Sequence, residues 1–305
     1  MRTIHYRVLL FLALSLSAAC EQNELRLLLK VPKAVAVTGT PDSGYYVLTS
    51  DNQVYGYKQT SSGPQFTTKF ALKDSGGGID ITLVPTGYQG SVLVTQWEQN
   101  QYQGFIYHYA ADGTILGVWK TRHVPIGIDF DASSQQFYFS TLDSNEVYQA
   151  ALKGGELRLV CTVPGATQLG PLTVNSKRQT VYVADYQGPL FEVNLATKKA
   201  TRLKPSFVSP SALLFDDKTG FLFVADRIQR KVYAVDPSSQ SSQIVVASAQ
   251  ITSPSGLASG LGSSLVISDE KSGTVLLSQV NPMSQRATPQ QRATPPQRRA
   301  SRSRR

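Results

Sequence analysis

At 305 residues, 41% hydrophobic and 17% charged, the chain is long enough to bury a large core and too apolar to be disordered throughout. Its formal net charge of +9 suggests a polyanion as partner, but Arg2, Arg7 and seven arginines beyond residue 284 supply nine of the 30 Lys+Arg, and the other 21 balance 21 Asp+Glu. A near-neutral body excludes a broad nucleic-acid-binding face and assigns the basic pI to the two ends.

The first twenty residues, MRTIHYRVLLFLALSLSAAC, combine basic residues, an apolar run from Val8 to Leu16 and small residues before Cys20. This predicts an export signal over 1–19, because the run is shorter than the roughly 20 residues a transmembrane helix needs. The stretch LSAAC resembles a bacterial lipobox, with Ser17 where that motif usually has Leu. The resemblance implies a lipid anchor on Cys20 and a short tether over 20–23. Ordinary signal cleavage at the same Ala19–Cys20 bond is the alternative. Either way the expected location is the cell envelope, facing the periplasm or the exterior, with membrane attachment through the Cys20 lipid.

From residue 24 to 282 a repeat takes over. Six apolar runs end at Ser50, Gln96, Thr141, Asp185, Asp226 and Asp269, at spacings of 46, 45, 44, 41 and 43. A period in the forties with several short strands per unit is the mark of propeller blades. Inner strands precede the runs at AVAV (from Ala34), GIDI (Gly78), GIDF (Gly127), PLTV (Pro171), ALLF (Ala212) and GLAS (Gly256). Third strands follow, such as those carrying Val54-Tyr55 and Val232-Tyr233. Outer strands complete five blades. The sixth lacks one after Val280, but NELRLLLKVP (Asn23 to Pro32) matches the outer strand GELRLVCTVP (Gly155 to Pro164). The prediction is an all-β, six-bladed β-propeller closed by an N-terminal outer strand, with Leu25, Leu27, Leu29 and Val31 on its buried face.

The segments SALLFDDKTGFLFVADRIQRKVYAVDPSS, GPLTVNSKRQTVYVADYQGPLFEVN and SPSGLASGLGSSLVISDEKSGTVL resemble NHL-type repeats and the wider group of six-bladed propellers that includes the SMP-30/gluconolactonase-like enzymes. The resemblance covers the last three blades most fully; in the first three, Ser50, Gln96 and Thr141 replace the strand-ending Asp. It implies fold more than function. The SMP-30-like group is known for carboxylate and amide ligands to a divalent metal such as Ca²⁺ at the inner-strand entrances. Here Lys33, Gly77, Ile126, Gly170, Ser211 and Ser255 precede the inner strands, so no such metal or other cofactor is expected.

Asp80 and Asp129 stand at matching third positions of neighbouring inner strands, where a carboxylate pair could hold a cation or share a proton; backbone hydrogen bonding is the plainer role. Asp185, Asp226 and Asp269 read as turn caps, as do Asp131, Asn175 and Asp216. The chain has no HExxH, GxSxG, P-loop, EF-hand or paired CxxC motif. His108 falls within a strand as a packing residue. Cys161 alternates with Leu157, Leu159 and Val163 and is expected to be buried with them.

The candidate ligand face gathers Trp97, Tyr102, His123, Tyr186 and Arg227, since Trp97–Gly104 is the one oversized loop and His123 lies in the neighbouring connection. The tail over 283–305 repeats QRATP and carries no acid. It suits a disordered or polyproline-like end with affinity for anionic surfaces. The favoured function is non-catalytic binding or scaffolding, with an unidentified small-molecule, glycan or protein ligand and no nucleic acid. The alternative is a metal-dependent lactonase using Ca²⁺ or another divalent ion.

Overall fold

The computed structural model describes residues 25–40, 44–73, 77–85, 90–98 and 103–280. Residues 1–19, expected from sequence to form an export signal, together with Cys20, Tyr102 and the arginine-rich residues 281–305, lie outside these residues. Among the described residues the chain forms 24 strands in six antiparallel four-stranded sheets, with one 3-10 turn at Ser176–Arg178.

The first strand in sequence, β1 (Leu25–Lys30), is the last in the ring. Blade 1 follows as β2 (Ala34–Thr40), β3 (Gly44–Thr49), β4 (Gln53–Thr60) and β5 (Gly63–Ala71). Blade 2 is β6 (Gly77–Val84), β7 (Ser91–Glu98), β8 (Gln103–Tyr109) and β9 (Ile115–Thr121). Blade 3 is β10 (Pro125–Asp131), β11 (Gln136–Thr141), β12 (Glu146–Ala151) and β13 (Arg158–Thr162). Blade 4 is β14 (Leu169–Asn175), β15 (Thr180–Asp185), β16 (Pro189–Asn194) and β17 (Lys199–Ser206). Blade 5 is β18 (Pro210–Asp216), β19 (Phe221–Asp226), β20 (Lys231–Asp236) and β21 (Ser241–Ala247). Blade 6 is β22 (Pro254–Ser259), β23 (Ser264–Asp269) and β24 (Thr274–Gln279), completed by β1 in the order β1-β24-β23-β22.

The second strand of each blade is buried at nearly every position, because it is packed by a neighbouring blade on both faces. Six apolar clusters fill the six gaps between blades. One joins Phe223, Val232 and Ile267 across blades 5 and 6; another joins Val31, Val47 and Val266 across the closure. We call the face where second strands end and inner strands begin the upper face, and its opposite the lower.

Closure by the N-terminal strand is observed, but its buried face differs from simple alternation. β1 pairs with β24 from Leu25↔Ser278 to Lys30↔Thr274, with a register shift between Leu27 and Leu29. A bulge adds a residue to one strand and resets which side chains face inward. Leu28 and Leu29 therefore both pack into the closure cluster beside Val31, while Leu27 is 48% exposed. The same effect moves Cys161. A shift in the β12–β13 pairing buries Val160 and Cys161 together and leaves Leu159 exposed. Cys161 is buried as expected, though on a face it does not share with Leu159, and burial pushes its thiol up to about 11.

Register also corrects two alignments. Thr49, not Ser50, pairs with the start of its inner strand in the way Thr141, Asp185, Asp226 and Asp269 do. Asp80 and Asp129 are not equivalent. Asp80 lies opposite Thr95 and Asp129 opposite Tyr138, so Thr82, not Asp80, matches Asp129. Several inner strands also start earlier than the sequence pattern suggests, at Pro125, Leu169, Pro210 and Pro254.

Candidate functional site

Inner strands of adjacent blades run side by side without a backbone ladder, so side chains bridge them. Asp80 accepts the N–H of Ile81 on one oxygen (2.9 Å) and that of Ile128 in the next blade on the other (3.1 Å). Asp129 accepts four bonds: from Phe130 N and Thr82 Oγ1 on one oxygen, and from Thr173 Oγ1 and Val174 N on the other, all at 2.8–3.0 Å. Thr38 accepts Leu83 N, and Thr173 accepts Phe215 N, in the same i-to-next-blade pattern. The two carboxylates thus belong to a belt that couples blades 1 to 5.

Around them the central channel narrows to about 70 Å³. That admits a few waters and is far below the roughly 300–1,000 Å³ of a ligand pocket. Desolvation in this space pushes the Asp80 carboxyl up to about 7, opposed by its two backbone bonds and assisted by Asp129. Asp129 is raised for the same reason, against its four donors. Among the described residues no three His, Cys, Asp or Glu side chains converge to hold a metal ion.

The strand-ending Asp residues act as caps. Asp226 accepts Val208 N, Ser209 N and Gln229 N, tying the incoming loop to the turn of its own blade. Asp185 and Asp269 do the same through Thr167, Gln168 and Gln187 and through Thr252, Ser253 and Ser272. Asp131, Asn175 and Asp216 bind the turns after their inner strands. His108 is buried in β8, and desolvation lowers it to about 4.

The described members of the candidate ligand face all lie on the upper side but do not form one site. Trp97 pairs with Gly77 at the end of β7 and is half-buried. Tyr186 packs its ring on Gly170; its hydroxyl is raised by desolvation, lowered by Arg227 and raised by Asp80, which places it near the channel mouth. Arg227 reaches Glu270 at 3.5 Å. His123 stands apart, at the rim of a different feature.

That feature is a groove of about 630 Å³ on the flank between blades 2 and 3. One wall is the outer edge of β9 and its continuation, residues 118–123. The other is built from Phe139, Tyr148, the Gly155–Leu157 turn and Leu159. Trp119 forms part of its floor, while Val118 and Leu159 stay 47% and 44% exposed. At the upper end, His123 lies between two carboxylates, Nδ1 at 3.2 Å from Asp143 and Nε2 at 3.6 Å from Glu146. Glu146 also accepts the Tyr148 hydroxyl at 2.8 Å and Ser144 Oγ at 3.1 Å. Desolvation and then Glu146 push Tyr148 up to about 12, so it remains a neutral donor. Tyr148 stacks on Phe139 at 5.3 Å between ring centres. Gly104 lets β8 pass close beneath this arm, since a Cβ there would collide with Thr121 Oγ1, Pro125 and the His123 carbonyl. The groove was not anticipated from sequence. Its traces are the apolar outer strand ILGVWKT and the pairing of Glu146 with Tyr148 in NEVYQ.

No known protein family matches this chain, and no curated protein matches it by sequence. Solved structures do. A chain in a nidogen/laminin complex aligns over 76% of this chain and 87% of its own length, at 14% identity and a TM-score of 0.64. A protein of unknown function from Bacteroides thetaiotaomicron VPI-5482 aligns over 85% and 72%, at 11% identity and 0.67. A streptogramin B lyase aligns over 85% and 98%, at 11% identity and 0.61. At these identities the likeness is one of fold, and it agrees with the ring of six blades: this chain is a six-bladed β-propeller.

Proposed function

We propose that the chain is a non-catalytic binding propeller of the cell envelope, anchored through Cys20, with its ligand seat in the groove between blades 2 and 3. The observation that carries this reading is the groove itself. It has the size of a small-ligand or side-chain pocket, walls that mix Val118, Trp119, Leu157 and Leu159 with charged Lys120, Arg122 and Glu156, and a cluster of hydrogen-bonding groups at its upper end. Such an arrangement suits an amphipathic ligand whose polar end meets His123, Glu146 and Tyr148. The fold serves both binding and catalysis: one similar structure comes from a complex of two proteins and another is a lyase. The choice rests on the channel acids, whose oxygens are engaged in bonds between blades.

The test uses Trp119 as reporter in a Trp97→Phe variant, titrated with glycans, short peptides and amphiphilic small molecules. Saturable fluorescence changes that vanish in Leu159→Arg are expected. A lactone panel with Ca²⁺ runs beside it. Turnover that survives Leu159→Arg and is lost in Asp129→Asn would replace this reading with the hydrolase alternative.

A further inference from the structure

One wall of the groove between blades 2 and 3 is main chain. Residues 118–123 line it without a break, so both faces of β9 and its continuation meet it and the strand edge itself forms the wall. A paired strand turns alternate N–H and C=O groups to its two sides. β9 is the last strand of blade 2, and among the described residues no strand pairs with its outer edge. The groups on that side therefore look into the groove without a ladder partner. A bulge limits this edge from below. Gly117 pairs with His108 and Ile115 with Tyr109, which leaves Leu116 as the extra residue. Above it the edge from Val118 to Thr121 is regular, and with Arg122 and His123 it runs for about 17 Å, the length of roughly six extended residues.

The opposite wall is a register row. Phe139, Tyr148 and Leu159 are successive cross-strand partners in β11, β12 and β13, so their side chains stand together on the face of blade 3 that lines the groove. Leu159 ends the row 44% exposed. Just before it the outer strand gives out: β13 has five residues against six to nine in the other outer strands, and nothing lies within 4 Å of a Cβ added at Gly154 or Gly155. At the upper end Asp143 and Glu146 place two carboxylates beside His123, and Asp143 is exposed.

We propose that the groove receives an extended peptide segment of a partner protein, added to the edge of β9 as a fifth strand of blade 2; this rests on the groove being the ligand seat. Main-chain bonds to β9 supply affinity. Alternate side chains of the segment face the row of Phe139, Tyr148 and Leu159, which selects apolar residues at every second position. A Lys or Arg at the upper end of the segment meets Asp143 and Glu146. A glycan or a compact amphiphile uses the row and the polar cluster but leaves the outer amides of β9 bonded to water.

The probe is a pool of acetylated, amidated octapeptides that alternate Val, Leu or Tyr with Thr or Ser and carry one Arg or Lys at either end. The full chain carrying Trp97→Phe is titrated with the pool, and the tightest binder is followed by Trp119 fluorescence and by hydrogen exchange resolved to single amides. Saturable binding that is lost in Leu159→Arg is expected, with exchange slowed about tenfold at alternate amides of residues 117–122. N-methylation of one alternate set of peptide amides weakens binding about tenfold, and methylation of the other set does not. Replacing the peptide's Arg or Lys by citrulline or norleucine costs about tenfold as well. Binding that protects no β9 amide, or that tolerates methylation of either set, would overturn strand addition. A response to glycans or amphiphiles that Leu159→Arg abolishes, with none to any peptide, would overturn it too while leaving the groove as the ligand seat. Silence from all three ligand classes would remove the seat and the proposal together.

Discussion

Replacing Val31 by Ala removes two methyl groups from a side chain that is 2% exposed in the closure cluster. At about 0.8 kcal/mol per buried carbon, plus a cavity term because the surrounding blades relax only partly, the cost is about 2 kcal/mol. Leu27→Ala removes more carbon, but from a side chain 48% exposed beyond the bulge, so its cost stays within about 0.5 kcal/mol. The assay is urea unfolding of each variant, comparing midpoints at an unchanged slope. Simple alternation along β1 makes the opposite forecast, with Leu27 as costly as its neighbours. Equal losses for the two variants would refute the bulged register. Together Leu25, Leu28, Leu29 and Val31 contribute about 4–7 kcal/mol by the same area reasoning, an upper estimate. Deleting 25–31 would remove a large share of a typical 5–15 kcal/mol stability and uncover the edge of β24.

Asp80 should make stability pH-dependent. Its folded pKa, about 7, exceeds the unfolded value near 4, so the folded state keeps a proton that the unfolded state releases. The resulting stabilisation is complete below about pH 4 and is lost as pH rises through 7, by an amount on the order of 1–4 kcal/mol. Melting curves from pH 4 to 8 should show this decline in wild type and a flatter profile in Asp80→Asn; identical profiles would contradict it. Asp226→Ala leaves three N–H groups without their acceptor and should cost roughly 2–4 kcal/mol, with faster hydrogen exchange at Val208 and Ser209. Cys161 should resist a thiol reagent at pH 8 in folded protein and react fully in guanidinium; rapid native labelling would show that the gap between blades 3 and 4 opens.

The blade period and the closure were legible because they rest on whole strands. The match of NELRLLLKVP to GELRLVCTVP identifies an outer strand regardless of its exact register. Finer placement failed wherever a bulge intervened. One extra residue between Leu27 and Leu29, or at Val160, changes which side chains are buried without changing composition. The two GID strings misled for a related reason: Gly78 of the first opens its pairing as Pro125 does, two residues ahead of Gly127, so identical triplets occupy different depths. The turn caps were readable because an Asx side chain acts on backbone a few residues away. The groove was not, because it forms between strands about thirty residues apart, and its polar end depends on His123 meeting Asp143 and Glu146.

The Asp caps divide the upper rim into two kinds of ground. In blades 4 to 6 each carboxylate binds both the loop that enters its blade and the turn within it, so an insertion in either would strand several amides at once. Blades 1 to 3 carry Thr49, Gln96 and Thr141 at that place; Thr49 and Thr141 bond within their own turns, and Gln96 bonds Lys73 O and the Tyr109 hydroxyl, so the partners differ from blade to blade. Loops there can lengthen or change sequence without dismantling a shared joint, and Trp97, His123 and the flank groove are all found on this side. A library aimed at new binding specificities has its most permissive positions in the upper loops of the first three blades, with the other three serving as a fixed mount.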